Sequence, residues 1–391
     1  MIRRPLRLAL LTAACAAFPT TLLAQNSVTG TAGTKINIQE LSNFDGAWAM
    51  TFLPDGRSLV TEQGGTMWLL AKSGSKIARI GNVPDVDERS QGGLGDIIVD
   101  PDFAENGHVY LSYVERDDDD DTLSGAAVER ATLTLTANGG TLSDRDVIWR
   151  QFPKVTGNGH YGHRLAISPD GYLYITSGER QKFTPAQNMD MNLGKVIRLN
   201  KDGSVPEDNP FYGQGGVTQQ IWSLGHRNPL GIDFDADGQL WVQEMGPKGG
   251  DELNRIVRSE NYGYPVVSNG DHYSGKKIPN HETNPIFENP AVYWVPAISP
   301  AGLIIYDGSL FSDWTGNAFL GGLSSQALIR VDFNTESTDN QGQPVDRTET
   351  VAAEAERFEW DKRIREVEQG PDGAIYVLED NDGRLLKLTP G

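Results

Sequence analysis

The sequence predicts an all-β protein, a six-bladed β-propeller of four-stranded antiparallel blades with loop insertions on the face that carries the site. Three observations lead there. Helical periodicity is scarce after residue 25, whereas short alternating runs rich in Val, Ile, Leu, Tyr and Trp recur behind Asp-Gly or Asn-Gly turns. One hairpin is written four times, as Phe52-Leu-Pro-Asp-Gly-Arg-Ser-Leu-Val-Thr61, Ile167-Ser-Pro-Asp-Gly-Tyr-Leu-Tyr-Ile-Thr176, Phe234-Asp-Ala-Asp-Gly-Gln-Leu-Trp-Val-Gln243 and Gln369-Gly-Pro-Asp-Gly-Ala-Ile-Tyr-Val-Leu378, and weaker copies at 99–112 and 310–322 make six. Their uneven spacing, roughly 50 to 80 residues, suits blades with insertions better than a solenoid of fixed period. A two-domain β-sandwich is the alternative architecture, but it gives no reason for the hairpin to repeat.

The segments justify themselves in order. Met1-Ile-Arg-Arg-Pro-Leu-Arg7, an apolar run at 8–18 and a small residue before Gln25 describe a signal peptide over 1–24, which makes 25–391 the working domain, periplasmic or secreted. No stretch approaches the roughly 20 apolar residues of a membrane helix, so no membrane span is expected. Cys15, the single cysteine, leaves with the leader unless Thr12-Ala-Ala-Cys15 is read as a lipidation site; without it the fold has neither disulfides nor thiolate metal ligands. Residues 35–41 are placed to add a strand to the sheet of the last hairpin and close the ring. The five consecutive aspartates within 116–123 repel one another and read as a solvated loop rather than a calcium site. Residues 336–347 read as another loop. The longest interruption, 246–300, holds Tyr, His, Asn and Trp at a density that surface loops rarely need, and such insertions commonly build a binding face.

Charge narrows the partners. Losing Arg3, Arg4 and Arg7 with no acid takes the formal charge from −19 to −22. Such a surface repels nucleic acid and anionic lipid and favours a neutral substrate or bound cations.

Chemistry concentrates in loops that precede or leave the strands. Thr156-Gly-Asn-Gly-His160-Tyr-Gly-His-Arg164 puts a histidine in a glycine-rich loop ahead of a hairpin, where a flat ligand can approach the backbone. Ser90-Gln91-Gly-Gly-Leu-Gly-Asp96 sets an amide before paired glycines. Leu224-Gly-His-Arg227-Asn228-Pro-Leu-Gly231 offers a guanidinium and an amide on one turn. Glu244-Met-Gly246-Pro247-Lys-Gly-Gly-Asp251-Glu252 continues to Asn261-Tyr262. In Lys362-Arg363-Ile-Arg365-Glu366, strand alternation points both arginines to one face, a grip for carboxylates. Taken singly, each motif also reads as an ordinary turn, a pair of solvated strand charges or a surface acid patch.

Together these motifs resemble the soluble quinoprotein aldose and glucose dehydrogenases of the glucose/sorbosone dehydrogenase family, in order from about Phe44 to Leu388. The resemblance implies a six-bladed propeller that uses pyrroloquinoline quinone (PQQ) and calcium. It implies that His160 is the general base toward the anomeric hydroxyl of an aldose mono- or oligosaccharide, which becomes a lactone. Arg227 would stand beside the quinone carbonyl, and Asn228 would hold the cofactor. Gly246 and Pro247 match backbone ligands of the catalytic calcium, and Glu252 with the Tyr262 carbonyl matches a second calcium site. Tyr273, Gly322, Leu323, Ser324, Arg363 and Arg365 line up with cofactor contacts. Gln91 belongs with that set and matches a residue that touches the sugar.

Three departures stand out. Gly159 intervenes between Asn158 and the base, His163 stands where glycine is usual, and Ser324 replaces a lysine that would pair with a cofactor carboxylate. Two other functions share the architecture. A calcium-dependent lactonase would hold its metal mainly by acidic and amide side chains, unlike the carbonyl ligands matched here. A non-catalytic binding propeller that has lost its cofactor is favoured by Ser324 and disfavoured by His160, Arg227 and Asn228. Electrons would pass to an acceptor that the sequence does not identify, and both monomer and homodimer are open.

Overall fold

A computed structural model of the chain describes residues 26–334 and 351–391. The expected leader and the 336–347 loop lie outside the described residues. Strands dominate, and the one α-helix among the described residues is the single turn Phe103–Asn106. The Asp-Gly hairpins share one geometry. Gly56, Gly171, Gly238 and Gly373 have φ between +75° and +87°. Each donates its N–H to the carbonyl three residues back, at 2.8 to 2.9 Å. Only glycine takes that backbone without strain, which is why the turn is written the same way each time.

Each hairpin pairs a first strand with a second. Ala47–Phe52 pairs with Ser58–Glu62, Leu94–Val99 with His108–Arg116, and Gly162–Ile167 with Leu173–Ser177. Pro229–Phe234 pairs with Leu240–Glu244, Pro300–Ile305 with Ala318–Gly322, and Ile364–Gln369 with Ile375–Glu379. The third, fourth and fifth pairs grow into separate four-stranded antiparallel sheets. The first two join into one nine-stranded sheet, because Gly140 and Thr141 pair in parallel with Ile80 and Gly81. In the last sheet, Arg384–Pro390 pairs with Lys35–Asn43, so the N-terminal segment completes a sheet begun by the C-terminal one, and Asn26–Thr29 adds a fifth strand. The six first strands pack side by side in chain order, and Ile364–Gln369 packs back on Ala47–Phe52, which closes a ring. Apolar side chains fill the spaces between sheets: Leu59, Met67 and Leu69 meet Leu94, Ile97 and Leu111, and Phe311, Trp314 and Phe319 meet Ile364, Val377 and Leu386.

Every one of these first strands carries a register shift near its start. A bulge leaves backbone N–H groups without a ladder partner and bends the strand. In three copies the residue that ends the hairpin answers this need. Thr61 Oγ1 accepts from Ala49 N at 3.1 Å and donates to Gly95 O of the next first strand at 2.7 Å. Thr176 Oγ1 accepts from Arg164 N at 2.9 Å and donates to Pro229 O at 3.0 Å. Ser112 Oγ accepts from Asp96 N at 2.8 Å. Carboxylates bridge the same gaps, since Asp96 Oδ2 accepts from Leu165 N at 2.8 Å and Asp233 Oδ2 from Ile305 N at 2.7 Å. Thr61→Val keeps the shape but leaves a buried N–H and carbonyl unpaired, so it should destabilise the fold by about 1 to 3 kcal/mol in a denaturant titration.

Candidate active site

The residues immediately before the six first strands converge at one end of the ring. His160 precedes Gly162–Ile167, Arg227 and Asn228 precede Pro229–Phe234, Gln91 precedes Leu94–Val99, and Arg363 precedes Ile364–Gln369. Two neighbouring cavities open there. The larger, about 510 Å³, is lined by Gln91, His163, Asn228, Leu323, Arg363 and Arg365. The smaller, about 260 Å³, is lined by His160, Glu179, Phe183, Arg227, Pro247 and Tyr273 among others.

His160 is held from three sides. Its backbone lies at φ +52°, and its N–H donates to Gln91 Oε1 at 2.8 Å. Its Nδ1 lies 2.6 Å from Glu179 Oε1. Glu179 also accepts from Gln181 N at 3.0 Å and Phe183 N at 2.5 Å. Burial works against ionisation of Glu179, but the bond from His160 and those backbone donors outweigh it and hold its pKa below the usual range. The ionised carboxylate therefore accepts a hydrogen bond from His160 Nδ1–H, which leaves Nε2 bare. Burial, helped by the Arg227 charge and opposed by Glu179, lowers the His160 pKa, so the imidazole is neutral at pH 7. Arg180, fully buried, fixes the glycine-rich loop, donating to Gly157 O, Gly159 O and Ser124 O while its guanidinium lies 3.8 Å from the Tyr161 ring centre.

Arg227 donates its backbone N–H to Glu244 Oε2 at 2.5 Å, and its Nη1 to Met245 O at 2.9 Å and Gly246 O at 2.6 Å. Arg227 Nε and Asn228 Oδ1 are buried and have no partner within the protein. Arg363 and Arg365 do face together, and both hold Asp380, at 2.7 Å and 2.6 Å. Burial opposes ionisation of Asp380, but the two guanidiniums keep its pKa low.

The residues expected to hold metals fall in two places. The Gly246 carbonyl is already engaged by Arg227, and Pro247 lines the smaller cavity. Glu252 and Tyr262 border a third cavity of about 10 Å³ together with Glu244 and Gly246, room for one small ion or water. Glu252 Oε1 there lies 3.1 Å from His281 Nε2. Among the described residues no cluster of three His, Cys, Asp or Glu side chains is placed to hold a metal, so backbone carbonyls would have to carry much of the ligation. Gly322 is buried, and a Cβ there would meet Ser325 Oγ. Ser324 is exposed beside Leu323 and donates its hydroxyl to Ala297 O at 3.2 Å.

His163 is not a second base. Its Nδ1 lies 2.7 Å from Ser112 Oγ, which also accepts from Asp96 N, so the ring is tied into the hydrogen-bonding of the strand bulge. The ring stacks on Trp48 at 5.0 Å, and burial drives its pKa down to about 3. Gly95 makes the room, since a Cβ there would lie 2.1 Å from His163 Cε1.

Glu179, Arg180 and Asp380 escape the motif reading. Their signal is register: Gly162 pairs with Ser177 and Ile364 with Glu379, so the residues just past each second strand lie beside those just before its partner.

Fold and site define the class, an all-β protein whose ligand site is assembled at one end of a strand ring. The chain belongs to the Glucose / Sorbosone dehydrogenase family, whose sequence profile matches residues 44–387. It is 35% identical over 378 residues to the aldose sugar dehydrogenase YliI of Escherichia coli (strain K12), covering 94% of this chain and 97% of that one. The crystal structure of the apo-form of the soluble aldose sugar dehydrogenase from Escherichia coli matches with a TM-score of 0.83 at 36% identity, over 91% of this chain and all of that one. The PQQ-bound aldose sugar dehydrogenase of Streptomyces coelicolor matches with a TM-score of 0.71 at 25% identity, over 91% and 98% of the two chains.

The sign of the His163 effect is fixed by its depressed pKa. The unfolded chain protonates this histidine near the ordinary value of 6.5 and the native state only near 3, so its contribution to stability is lost as pH falls through that window. His163→Gln should be the less stable protein at pH 7, with the gap to wild type narrowing at pH 4.5 in matched urea titrations.

Proposed function

We propose that this protein is a quinoprotein dehydrogenase that oxidises the anomeric carbon of aldose sugars to lactones. The observation that carries the reading is a neutral, carboxylate-held imidazole, His160, in the same cavity as Arg227, at one end of a fold whose relatives are named for sugar oxidation. The six bulged first strands packed in a ring support the six-bladed propeller reading of the fold. The expected leader supports a periplasmic or secreted location, and among the described residues no helix is long and apolar enough to cross a membrane.

The residues present fit PQQ, a planar tricarboxylate. The larger cavity has the size of a cofactor site, and Arg363 and Arg365 share Asp380 as their one ion-pair partner in a wall that also holds Asp45. Arg227 Nε and Asn228 Oδ1 are the unpartnered buried polar atoms that such a ligand would satisfy. Arg227, Asn228, Arg363 and Arg365 would hold it, with Gln91, Tyr273, Gly322 and Leu323 beside it. Calcium would bind Gly246 O and Pro247 O, with Arg227 sharing or yielding the first of these. A second ion at Glu252 and the Tyr262 carbonyl would offset the charge that burial penalises there. When bound, the quinone supplies the two-electron acceptor that aldose oxidation requires.

The chain's own residues do the rest. His160 Nε2 accepts the proton of the anomeric hydroxyl while Glu179 steadies the imidazolium that forms. Arg227 offers a fixed positive charge to oxygen that becomes negative as the reaction proceeds. Electrons leave to a separate acceptor, and a neutral sugar suits the acidic surface.

Purified protein mixed with PQQ, calcium and an aldose should show a sugar-dependent change in the cofactor spectrum, and silence across a panel of aldoses would refute the assignment. His160→Ala should slow sugar oxidation about a hundredfold to ten-thousandfold while cofactor binding persists.

Position 324 tests the cofactor pose. A charged donor contributes roughly 1.5 to 3 kcal/mol where a neutral one gives about 1, so Ser324→Lys should tighten PQQ binding by up to about tenfold in a titration of apoprotein. Unchanged binding would mean that Arg363 and Arg365 already satisfy the carboxylates.

A further inference from the structure

His163 carries one nitrogen that folding does not use. The residue sits in the bulge of Gly162–Ile167, and side chains and backbone of three other strands grip its ring. Trp48 stacks on it at 5.0 Å, Ser112 Oγ lies 2.7 Å from Nδ1, and Gly95 leaves the space that the Nδ1–Cε1 edge fills. Trp48 is in turn held by the Arg164 guanidinium, 4.1 Å from its ring centre. The stack fixes the plane of the imidazole, and the hydrogen bond fixes its rotation within that plane. Nε2 is thereby aimed, and it has no hydrogen-bond partner among the described residues.

The residue is only 2% exposed, yet it stands in the wall of the larger cavity with Trp48, Tyr161 and Asn228. Because the Nδ1–Cε1 edge backs onto Gly95 and Ser112, the edge left to meet the cavity is the one that bears Nε2. Packing alone does not call for this nitrogen, since an apolar ring would also stack on Trp48 and leave nothing unsatisfied. Asn228 Oδ1, buried and unpartnered, belongs to the same wall. Two aimed polar atoms without partners in one wall point to a ligand. Burial keeps the imidazole uncharged, with its pKa down at about 3, so what it offers is a neutral hydrogen bond. The planar tricarboxylate that fits this cavity has an edge made mostly of acceptor oxygens. Against oxygen Nε2 serves as N–H, with the Ser112 hydroxyl turned to donate to Nδ1 while it still accepts from Asp96 N.

We propose that His163 is a further cofactor contact, donating a hydrogen bond from Nε2 to PQQ in the larger cavity and raising the affinity for it. This rests on the function proposed above and deepens it.

The test is a titration of apoprotein, labelled with 15N in its histidines, with PQQ in a buffer that contains calcium. The chain has six histidines. His163 is recognised by its loss in His163→Gly and by its failure to titrate above about pH 4. Its Nε2 should resonate at the protonated position and shift as PQQ saturates the site, while Nδ1 moves little. Glycine accepts the backbone angle at this position without strain, and His163→Gly should bind PQQ about fivefold more weakly than wild type. If that variant did not fold, the wild-type titration would still decide. An Nε2 signal that stays where it was, one at the unprotonated position with PQQ bound, or equal affinity in His163→Gly would each overturn the contact and leave the dehydrogenase reading standing. A wild type that binds no PQQ would overturn both.

Discussion

The buried carboxylate of Glu179 is the group on which the site depends. It accepts hydrogen bonds from His160 Nδ1–H and from two backbone N–H groups of the turn that follows it. One ionised group thus sets the tautomer of the imidazole, the direction of its free nitrogen and the shape of the cavity wall. A charge so deeply buried is tolerated because three donors converge on it. Replacing any one of them by water would loosen the others, so imidazole and wall are fixed together.

The ring explains how such a site is assembled from distant residues. Each first strand enters from the same end, and in four of the six the bulge bends the backbone close behind a side chain that lines the cavities. The bulges are stable because Thr61, Ser112 and Thr176 return hydrogen bonds to the exposed N–H groups. Gln243 stands at the corresponding place in its copy, and neither of its amide atoms finds a partner in the protein. The scaffold's regularity is thus carried by small hydroxyls, while the loops between copies are free to differ in chemistry.

Local charge also runs against the global balance. The chain is strongly acidic, yet Arg227, Arg363 and Arg365 gather at the mouth of the ring, and Arg164 lies beneath them, its guanidinium against Trp48 and paired with Asp96 and Glu366. An anionic ligand is drawn by these cations at short range, where screening by solvent is weakest, while the acidic exterior acts at long range.

Sequence alone determined the features whose cause is local or periodic. The Asp-Gly hairpins follow from glycine's access to positive φ, the all-β class from period-two alternation, and the strand at 35–41 from its need for a partner, found in Arg384–Pro390. His160, Arg227 and Asn228 were legible because glycine and proline mark their loops. Tertiary structure decided what depends on register between strands far apart in the chain. Glu179 beside His160, Asp380 between the two arginines and Arg180 beneath the glycine-rich loop follow from which residues face each other across a hairpin. The join of the first two sheets through Gly140 and Thr141, the fifth strand Asn26–Thr29 and the burial of His163 against Trp48 likewise depend on packing. A histidine's surroundings illustrate the difference: His160 and His163 sit three residues apart in one motif, and only packing sets one against Glu179 in a cavity wall and the other against Trp48 in the core.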